Sequence, residues 1–358
     1  MSKPKILNFA PREEPDAIRQ ALEAAGCEIV IGDRAWQQPR HDHEDALVAA
    51  ARDAVALMGT SIRATPISRR VMEASQRLRI VAKYTVGVDD VDVEAATELG
   101  ILVCHAPTEA NCFGVAETTL AVMLAILKKV RERDAAVRAG LWREPQLFTT
   151  FVGRRQSDGY PGLTIGLIGL GRIGTRVAQL LAPWRVRILA CDPYIDPARF
   201  LLAGVEPVDY ESLLRQSDVV SFHVVLTRET RGMLAEREIA MMKPGAIVIN
   251  TARGQVIDEA ALARAIEAGH IGGAAIDAFA EEPLPGDSPL RDLGDKVLLS
   301  PHAASFNDGG ELKPGIAWAT RSVLAALSGN VPDNVYNTEV IARWKERFGG
   351  IRVTNGNA

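Results

Sequence analysis

A glycine-rich segment, GLGRIG at residues 169–174, separates a short apolar run from a stretch with helical spacing. The run LTIGLI before it has the length of a buried strand, and RVAQLLA after it has the pattern of a helix. In such a strand–turn–helix unit, the first glycine permits a tight turn, the second admits a phosphate close to the backbone, and the third lets helix and strand pack closely. The segment therefore predicts a dinucleotide-binding turn in a parallel sheet. The alternative is a glycine turn in a sheet that binds no cofactor.

The next apolar run, VRILACD, ends in Asp192, 18 residues after Gly174. A carboxylate at this place accepts hydrogen bonds from ribose hydroxyls and repels a 2′-phosphate. The spacing therefore predicts that the cofactor is NAD rather than NADP.

Short apolar runs alternate with helical stretches in two series along the chain. Residues 5–104 contain KILNF, VALMG, RIVAKY and GILVC, and a longer series occupies residues 163–302. Strands that alternate with helices form mainly parallel sheets covered on both faces. We therefore predict the α/β class with two sheets, the second of them larger. Between the two series, residues 111–139 carry apolar side chains at three- and four-residue steps and predict one long helix.

Composition and charge exclude several classes of protein. The chain has 358 residues and a net charge of −4, which predicts no nucleic acid partner and no anionic membrane surface. Its most apolar segment, residues 115–127, is shorter than the roughly 20 residues that span a bilayer.

Charged residues and prolines near the N-terminus predict a cytoplasmic protein rather than a secreted one. The four cysteines lack the spacing of a disulfide framework or of a zinc site, and we predict no metal.

Three polar residues follow successive predicted strands of the second series. Arg253 comes after AIVINTA, Glu282 after AAIDAF, and His302 after VLLSP. Each alone has an ordinary interpretation, as a loop charge, a turn residue or a structural histidine. Because the carboxyl ends of parallel strands meet at one edge of a sheet, the three together offer an anion clamp, a proton carrier and a carboxylate to hold it. That combination is suited to redox chemistry on an anionic carbonyl compound.

Five segments in this order resemble the D-isomer-specific 2-hydroxyacid dehydrogenase family: VGVDDVD, GLGRIG with CDP, NTARG, DAFAEEP and SPHAAS. The resemblance extends from about residue 80 to residue 337. It implies a hydride transfer between NAD and a D-2-hydroxy acid or the matching 2-oxo acid. By the same resemblance, Arg253 would grip the substrate carboxylate and His302 would be the acid/base. Glu282 would pair with that histidine and stabilise its protonated form.

The resemblance also implies which residues contact the ligands. The cofactor would be bound by Gly169, Gly171, Arg172, Ile173, Gly174, Asp192, Val224, Thr251 and Asp277. The substrate carboxylate would meet Arg253 and the backbone of Val86, Gly87 and Val88, a glycine-containing turn that offers N–H groups. We interpret His223, beside the cofactor in the family, as a strand-end residue without a catalytic part. Trp142 matches a position near the family's dimer contact, and a packing role is an equal alternative.

For the whole chain, the resemblance implies two Rossmann-like, doubly wound domains. A flavodoxin-like substrate domain would comprise residues 1–112 plus 308–358, and the NAD-binding domain residues 113–307. It further implies a homodimer and no C-terminal regulatory domain. Residues 306–318 contain Gly309, Gly310, Pro314 and Gly315. These residues predict an irregular segment where the family begins a helix. Two alternatives stay open, an NAD(H)-sensing protein of the corepressor type and an enzyme like phosphite dehydrogenase.

Overall fold

The computed structural model describes residues 3–11, 16–37, 43–62, 65–307 and 312–353. The chain divides into two compact units, Met1–Asn111 with Asn307–Ala358, and Cys112–Phe306. The start of the second substrate-domain segment that we predicted, residue 308, lies outside the described residues.

The first unit is built on a five-stranded parallel sheet in the order β2-β1-β3-β4-β5. This is the strand order of flavodoxin-like folds. The strands are almost entirely apolar because helices cover both faces. In chain order the elements are β1 (Lys5–Ala10), α1 (Asp16–Ala24), β2 (Glu28–Ile31), α2 (Glu44–Ala51), β3 (Ala54–Gly59), α3 (Arg69–Glu73), β4 (Ile80–Lys83), α4 (Val93–Glu98) and β5 (Leu102–Cys104).

The second unit is built on a seven-stranded parallel sheet in the order β12-β11-β10-β9-β6-β7-β8. The two sheets confirm the predicted α/β class, with the second sheet the larger. The elements are α5 (Glu109–Leu127), α6 (Val130–Arg138), β6 (Thr164–Ile168), α7 (Arg172–Leu181), β7 (Arg187–Cys191), α8 (Ala198–Ala203), β8 (Glu206–Pro207), α9 (Tyr210–Gln216), β9 (Val219–Phe222), α10 (Glu236–Met241), β10 (Ala246–Asn250), α11 (Glu259–Glu267), β11 (Ile271–Ile276) and β12 (Val297–Leu299).

The predicted long helix over residues 111–139 was wrong in one respect, because it is two helices. α5 ends at Leu127 and α6 begins at Val130, and Lys129 between them has a left-handed backbone with φ of 48°. Lys128 donates a hydrogen bond to the carbonyl of Thr150, and Lys129 to that of Gln146. These contacts with a distant loop stabilise a break that the helical periodicity does not show.

α5 is, among the described residues, a helix long and apolar enough to cross a membrane by length and composition. It is longer than the apolar segment we delimited from the sequence. Its residues Ala116 and Met123 are buried in the core of the second unit against the sheet. The helix therefore has the packing of a core helix, and the absence of a membrane partner stays a prediction.

The first unit is completed by α12 (Leu312–Leu327) and α13 (Ile341–Phe348). We predicted an irregular segment over residues 306–318, but the chain is helical from Leu312 onwards, and residues 308–311 lie outside the described part. Pro314 is tolerated because it is in the first turn, where the backbone N–H has no partner within the helix. Gly315 is required by packing, since a Cβ there would lie 2.0 Å from the carbonyl oxygen of Tyr84.

Candidate functional site

The second sheet reverses its strand order between β6 and β9. β7 and β8 lie on one side of β6, and β9 to β12 follow on the other. Ligands of open parallel sheets bind beyond the carboxyl ends of the strands at such a switch point. The glycine segment follows β6, and His223 and Val224 follow β9, so both flank this point.

The three glycines of the turn have three different surroundings. Gly169 has φ of +91°, and a Cβ there would lie 2.7 Å from the carbonyl oxygen of His223. A Cβ on Gly174 would lie 2.1 Å from the carbonyl oxygen of Gly169, so the first turn of α7 packs directly on the strand end. A Cβ on Gly171 would meet no atom within 4 Å. The first and third glycines are therefore required by the fold, whereas the second faces open space of the kind that a pyrophosphate needs.

The N-terminus of α7 begins beside this space. Gly171 is its N-cap residue and supplies no side-chain hydrogen bond to the first turn. The first turn of α7 presents backbone N–H groups, among them those of Ile173 and Gly174, that have no acceptor within the helix, and the helix dipole makes this end positive. The geometry fits the phosphates of a dinucleotide.

Asp192 joins the turn to the next strand end. One oxygen, Oδ2, accepts the backbone N–H of Leu170 at 2.8 Å, and Oδ1 accepts that of Tyr194 at 3.1 Å. A carboxylate has about four acceptor sites, so Asp192 retains capacity for ribose hydroxyls. The structure therefore places Asp192, the residue predicted to bind the ribose, next to the turn predicted to bind the phosphates.

His223 has a buried ring although the residue as a whole is half-buried. Its Nε2 shares a hydrogen bond of 2.9 Å with Oγ of Ser221, and its buried Nδ1 has no partner among the described residues. Burial lowers the pKa of His223 to about 4. The ring is therefore neutral at physiological pH. Val224, the next residue, is half-buried and packs against the core.

Glu282 and His302 form a hydrogen-bonded pair in the loops that follow β11 and β12. Nδ1 of His302 lies 2.8 Å from Oε1 of Glu282, which also accepts the backbone N–H of Phe279 at 3.0 Å. An ionised carboxylate only accepts, so Nδ1 carries the proton and Nε2 is the ring atom that exchanges protons. The imidazole is 30% exposed, which lets it reach a ligand, whereas Glu282 is 16% exposed.

The loop that carries His302 is fastened by Asp277. Oδ1 of Asp277 accepts the hydroxyl of Ser300 at 2.5 Å and the N–H of Ala303 at 2.9 Å, and Oδ2 accepts the N–H of Ala304 at 3.1 Å. His302 itself has a left-handed backbone with φ of 53°, a conformation rare for residues with a side chain. Asp277, which we predicted as a cofactor ligand, therefore holds the histidine loop in this structure.

Arg253 lies in a turn that Asn250 closes. The Asn250 amide donates to the carbonyl of Arg253 at 2.9 Å and accepts the N–H of Ala252 at 3.0 Å. A Cβ on Gly254 would lie 1.8 Å from the carbonyl carbon of Phe279, so this turn packs directly against the turn that precedes Glu282. Asn250 and Gly254 are positioning residues that we did not single out. Their signal was the NTARG segment itself, in which a small residue directly follows the arginine.

Five further residues named in the sequence analysis lie in three separate segments. Thr251 donates its hydroxyl to Oγ1 of Thr119 at 3.0 Å, because the Thr119 hydroxyl is itself donated to the carbonyl of Val115. Val86, Gly87 and Val88 form a loop of the first unit, directly after β4. Trp142 is 69% exposed, in a segment with other exposed apolar side chains.

Known proteins resemble the chain along most of its length. A family model described as "D-isomer specific 2-hydroxyacid dehydrogenase, NAD binding domain" matches residues 120–304. The D-3-phosphoglycerate dehydrogenase of Mycobacterium leprae is 39% identical over 83% of this chain and 55% of its own, so the chain spans about half the length of that relative. The glyoxylate reductase of Thermofilum pendens is 36% identical over 95% of this chain and 96% of its own. The structure of D-lactate dehydrogenase from Aquifex aeolicus, complexed with NAD and lactic acid, is 26% identical with a TM-score of 0.79 and covers 93% of this chain and 99% of that one.

Proposed function

This chain belongs to the D-isomer-specific 2-hydroxyacid dehydrogenase family, and we propose that it transfers a hydride between NAD and a D-2-hydroxy acid or the matching 2-oxo acid. The observation that carries the proposal is the Glu282–His302 pair next to the Arg253 turn. These groups lie on turns that pack against each other in one unit, so a proton carrier and an anion-binding cation are held together.

The cofactor site follows from the switch point of the second sheet. We propose that the pyrophosphate lies over Gly171 and the first turn of α7, and that Asp192 accepts the ribose hydroxyls. Gly169 and Gly174 shape the turn, and the remaining proposed contacts are Arg172, Ile173, Val224, Thr251 and Asp277. When bound, NAD supplies the ring that accepts or donates the hydride.

The proton and the substrate anion are assigned to the protein's own residues. In the oxidation direction, Nε2 of His302 takes the hydroxyl proton of the substrate, and Glu282 stabilises the resulting imidazolium. Arg253 binds the substrate carboxylate through a planar guanidinium, with two donors that match two oxygens. For the first unit, we propose that Val86, Gly87 and Val88 offer backbone N–H groups to a substrate carboxylate.

A panel of 2-oxo acids tests this function directly. Purified protein is mixed with NADH and glyoxylate, hydroxypyruvate, pyruvate or a larger 2-oxo acid, and NADH consumption is followed by absorbance. We expect turnover with at least one of them, beginning with glyoxylate because a relative that matches this chain almost end to end is a glyoxylate reductase. NADH binding without turnover on any member of the panel would contradict the proposed reaction and favour a sensor of NAD(H).

We also propose that the protein is a homodimer in the cytoplasm with no nucleic acid or membrane partner. Support for a dimer comes from exposed apolar side chains near the connector after α6, since such patches mark interfaces. They are Val130, Val137, Leu141, Trp142, Phe148 and Phe151. Light scattering during gel filtration measures the mass, and Trp142→Glu together with Phe148→Glu should convert a dimer to a monomer.

A further inference from the structure

Lys83 and Asp90 form an ion pair in the interior of the first unit. The side chains are 0% and 2% exposed, and Nζ of Lys83 lies 2.5 Å from Oδ2 of Asp90. Burial of two charges costs hydration energy, and a well-packed apolar pair often stabilises a fold as well or better. Stability alone therefore does not explain why this ion pair is buried. The other groups that the two side chains contact indicate its role.

The pair connects two loops at the carboxyl edge of the first sheet. Lys83 also donates to the carbonyl of Thr60 at 2.7 Å, and Asp90 also accepts the N–H of Ile62 at 2.9 Å. Thr60 and Ile62 follow β3, whereas Lys83 ends β4 and Asp90 lies in the loop between β4 and α4. Charge-assisted hydrogen bonds are short and directional, so the two loops are held in a fixed position relative to each other.

The loop between Lys83 and Asp90 contains the three residues proposed to meet the substrate carboxylate. Two of its carbonyls are bound by the protein itself. His105 donates from Nδ1 to the carbonyl of Val86 at 3.2 Å, and the Thr85 hydroxyl donates to the carbonyl of Gly87 at 2.9 Å.

The bound carbonyls determine where the backbone donors point. In a planar trans peptide the N–H points opposite to the preceding C=O. When the carbonyls of Val86 and Gly87 are held, the N–H groups of Gly87 and Val88 must therefore point away from their partners. Neither N–H has an acceptor among the residues that the structure describes. Two adjacent donors without acceptors can bind one anion when both face it.

We propose that Lys83, Asp90 and His105 are positioning residues that hold residues 84–90 so that the N–H groups of Gly87 and Val88 bind the substrate carboxylate. This inference rests on the proposed function and names the devices that give the loop its shape. The ion pair fixes the two ends of the loop, and His105 fixes its middle. The charges act through the backbone, since neither reaches solvent.

The test removes the charges and keeps the shape. In the double variant Lys83→Met with Asp90→Asn, the asparagine oxygen still accepts the Ile62 N–H and no charge is left unpaired. We expect the KM for the 2-oxo acid and the Kd for oxalate, an unreactive dicarboxylate, to rise roughly tenfold or more, as expected when a hydrogen bond to a charged group is lost. The Kd for NADH should change less than about twofold, because the proposed cofactor contacts belong to the other unit.

A matched control comes from the opposite end of the same strand. Arg79 precedes β4, is buried, and donates to the carbonyls of Ala326 and Ile351. Arg79→Met should lower the Tm and leave the KM and the oxalate Kd unchanged. An equal rise of the KM in this variant would overturn the inference, since the effect would then be a general weakening of the unit.

His105→Phe keeps a ring beside Tyr336 but removes the donor to the carbonyl of Val86. This variant tests the positioning of the loop if the double variant does not fold. Unchanged oxalate binding and KM in the variant that folds would overturn the inference. If the native protein binds oxalate without turning over any 2-oxo acid, and the variants weaken that binding, the loop assignment stands while the proposed reaction fails. Absence of oxalate binding to the native protein overturns the loop assignment.

Discussion

The two sheets of this protein use charged residues in opposite ways at their carboxyl ends. In the second unit, Glu282 and His302 are 16% and 30% exposed and can meet a ligand themselves. In the first unit, Lys83 and Asp90 are buried with their charges satisfied by each other and by backbone groups. A hydrogen-bonded acid–base pair is therefore the proposed proton carrier in one unit and the proposed brace for backbone donors in the other. Exposure of the pair separates the two roles, together with the residue type, because an imidazole exchanges protons near neutral pH and an ammonium does not.

The largest effect that this comparison predicts is on turnover. His302→Ala removes the proposed proton carrier of the second unit, and kcat should fall about 10²-fold to 10⁴-fold, the usual contribution of a general acid/base. Stopped-flow or steady-state NADH absorbance measures it, with NADH binding checked separately. His270→Ala is the matched control, because His270 bonds the carbonyl of Ile239 outside the site and should keep normal kcat. Normal turnover in His302→Ala would remove the assignment.

An intermediate effect is expected at the anion clamp. Arg253→Lys keeps the positive charge and loses the two-pronged geometry, so kcat/KM should fall roughly 10-fold to 100-fold, mainly through the KM. Steady-state kinetics with the active 2-oxo acid separates this result from that of His302→Ala, where kcat changes most. Unchanged kcat and KM would show that Arg253 is an ordinary loop charge.

The last effect concerns stability alone. It limits the comparison, because His223 belongs to the second unit and is assigned no part in the reaction. The pKa of His223 is lowered to about 4, whereas an unfolded histidine titrates near 6.5. The unfolded chain therefore binds a proton that the folded chain cannot bind as the pH falls from about 6.5 to about 4. Stability is fully present above this window and decreases through it by at most about 3 kcal/mol.

Urea unfolding of the native protein and of His223→Phe, each at pH 7 and pH 4.5, measures this contribution. The native protein should lose more free energy of unfolding between the two pH values than the variant does. An identical loss in both proteins would mean that the ring is protonated in the folded state.

Much of the architecture follows from local sequence. The spacing of apolar residues along a strand or a helix reflects which face of that element is buried. The two series of alternating strands and helices could therefore be predicted from the sequence. The role of Gly174 could also be anticipated, because it meets the carbonyl of Gly169 within the same strand–turn–helix unit. The close contact of Gly169 could not, because it is made with His223, which follows a different strand. The break at Lys129 could not, since its stabilising hydrogen bonds come from residues about 17 to 22 positions away.

The supports of the site depended on the fold. Asp277 follows a strand like any ligand-binding carboxylate, yet its three hydrogen bonds go to the loop that carries His302. Gly254 matters because its Cα lies against the backbone near Phe279, which only the packing of two turns brings about.

Residue types and their order along the chain were enough to specify two parallel sheets, a dinucleotide turn and three polar strand ends, because these depend on neighbours a few positions apart. Which of the two pairs is exposed and which is buried was decided by the folded chain. Burial is a property of all the elements packed around a residue, and the local sequence around Lys83 or Glu282 does not contain it.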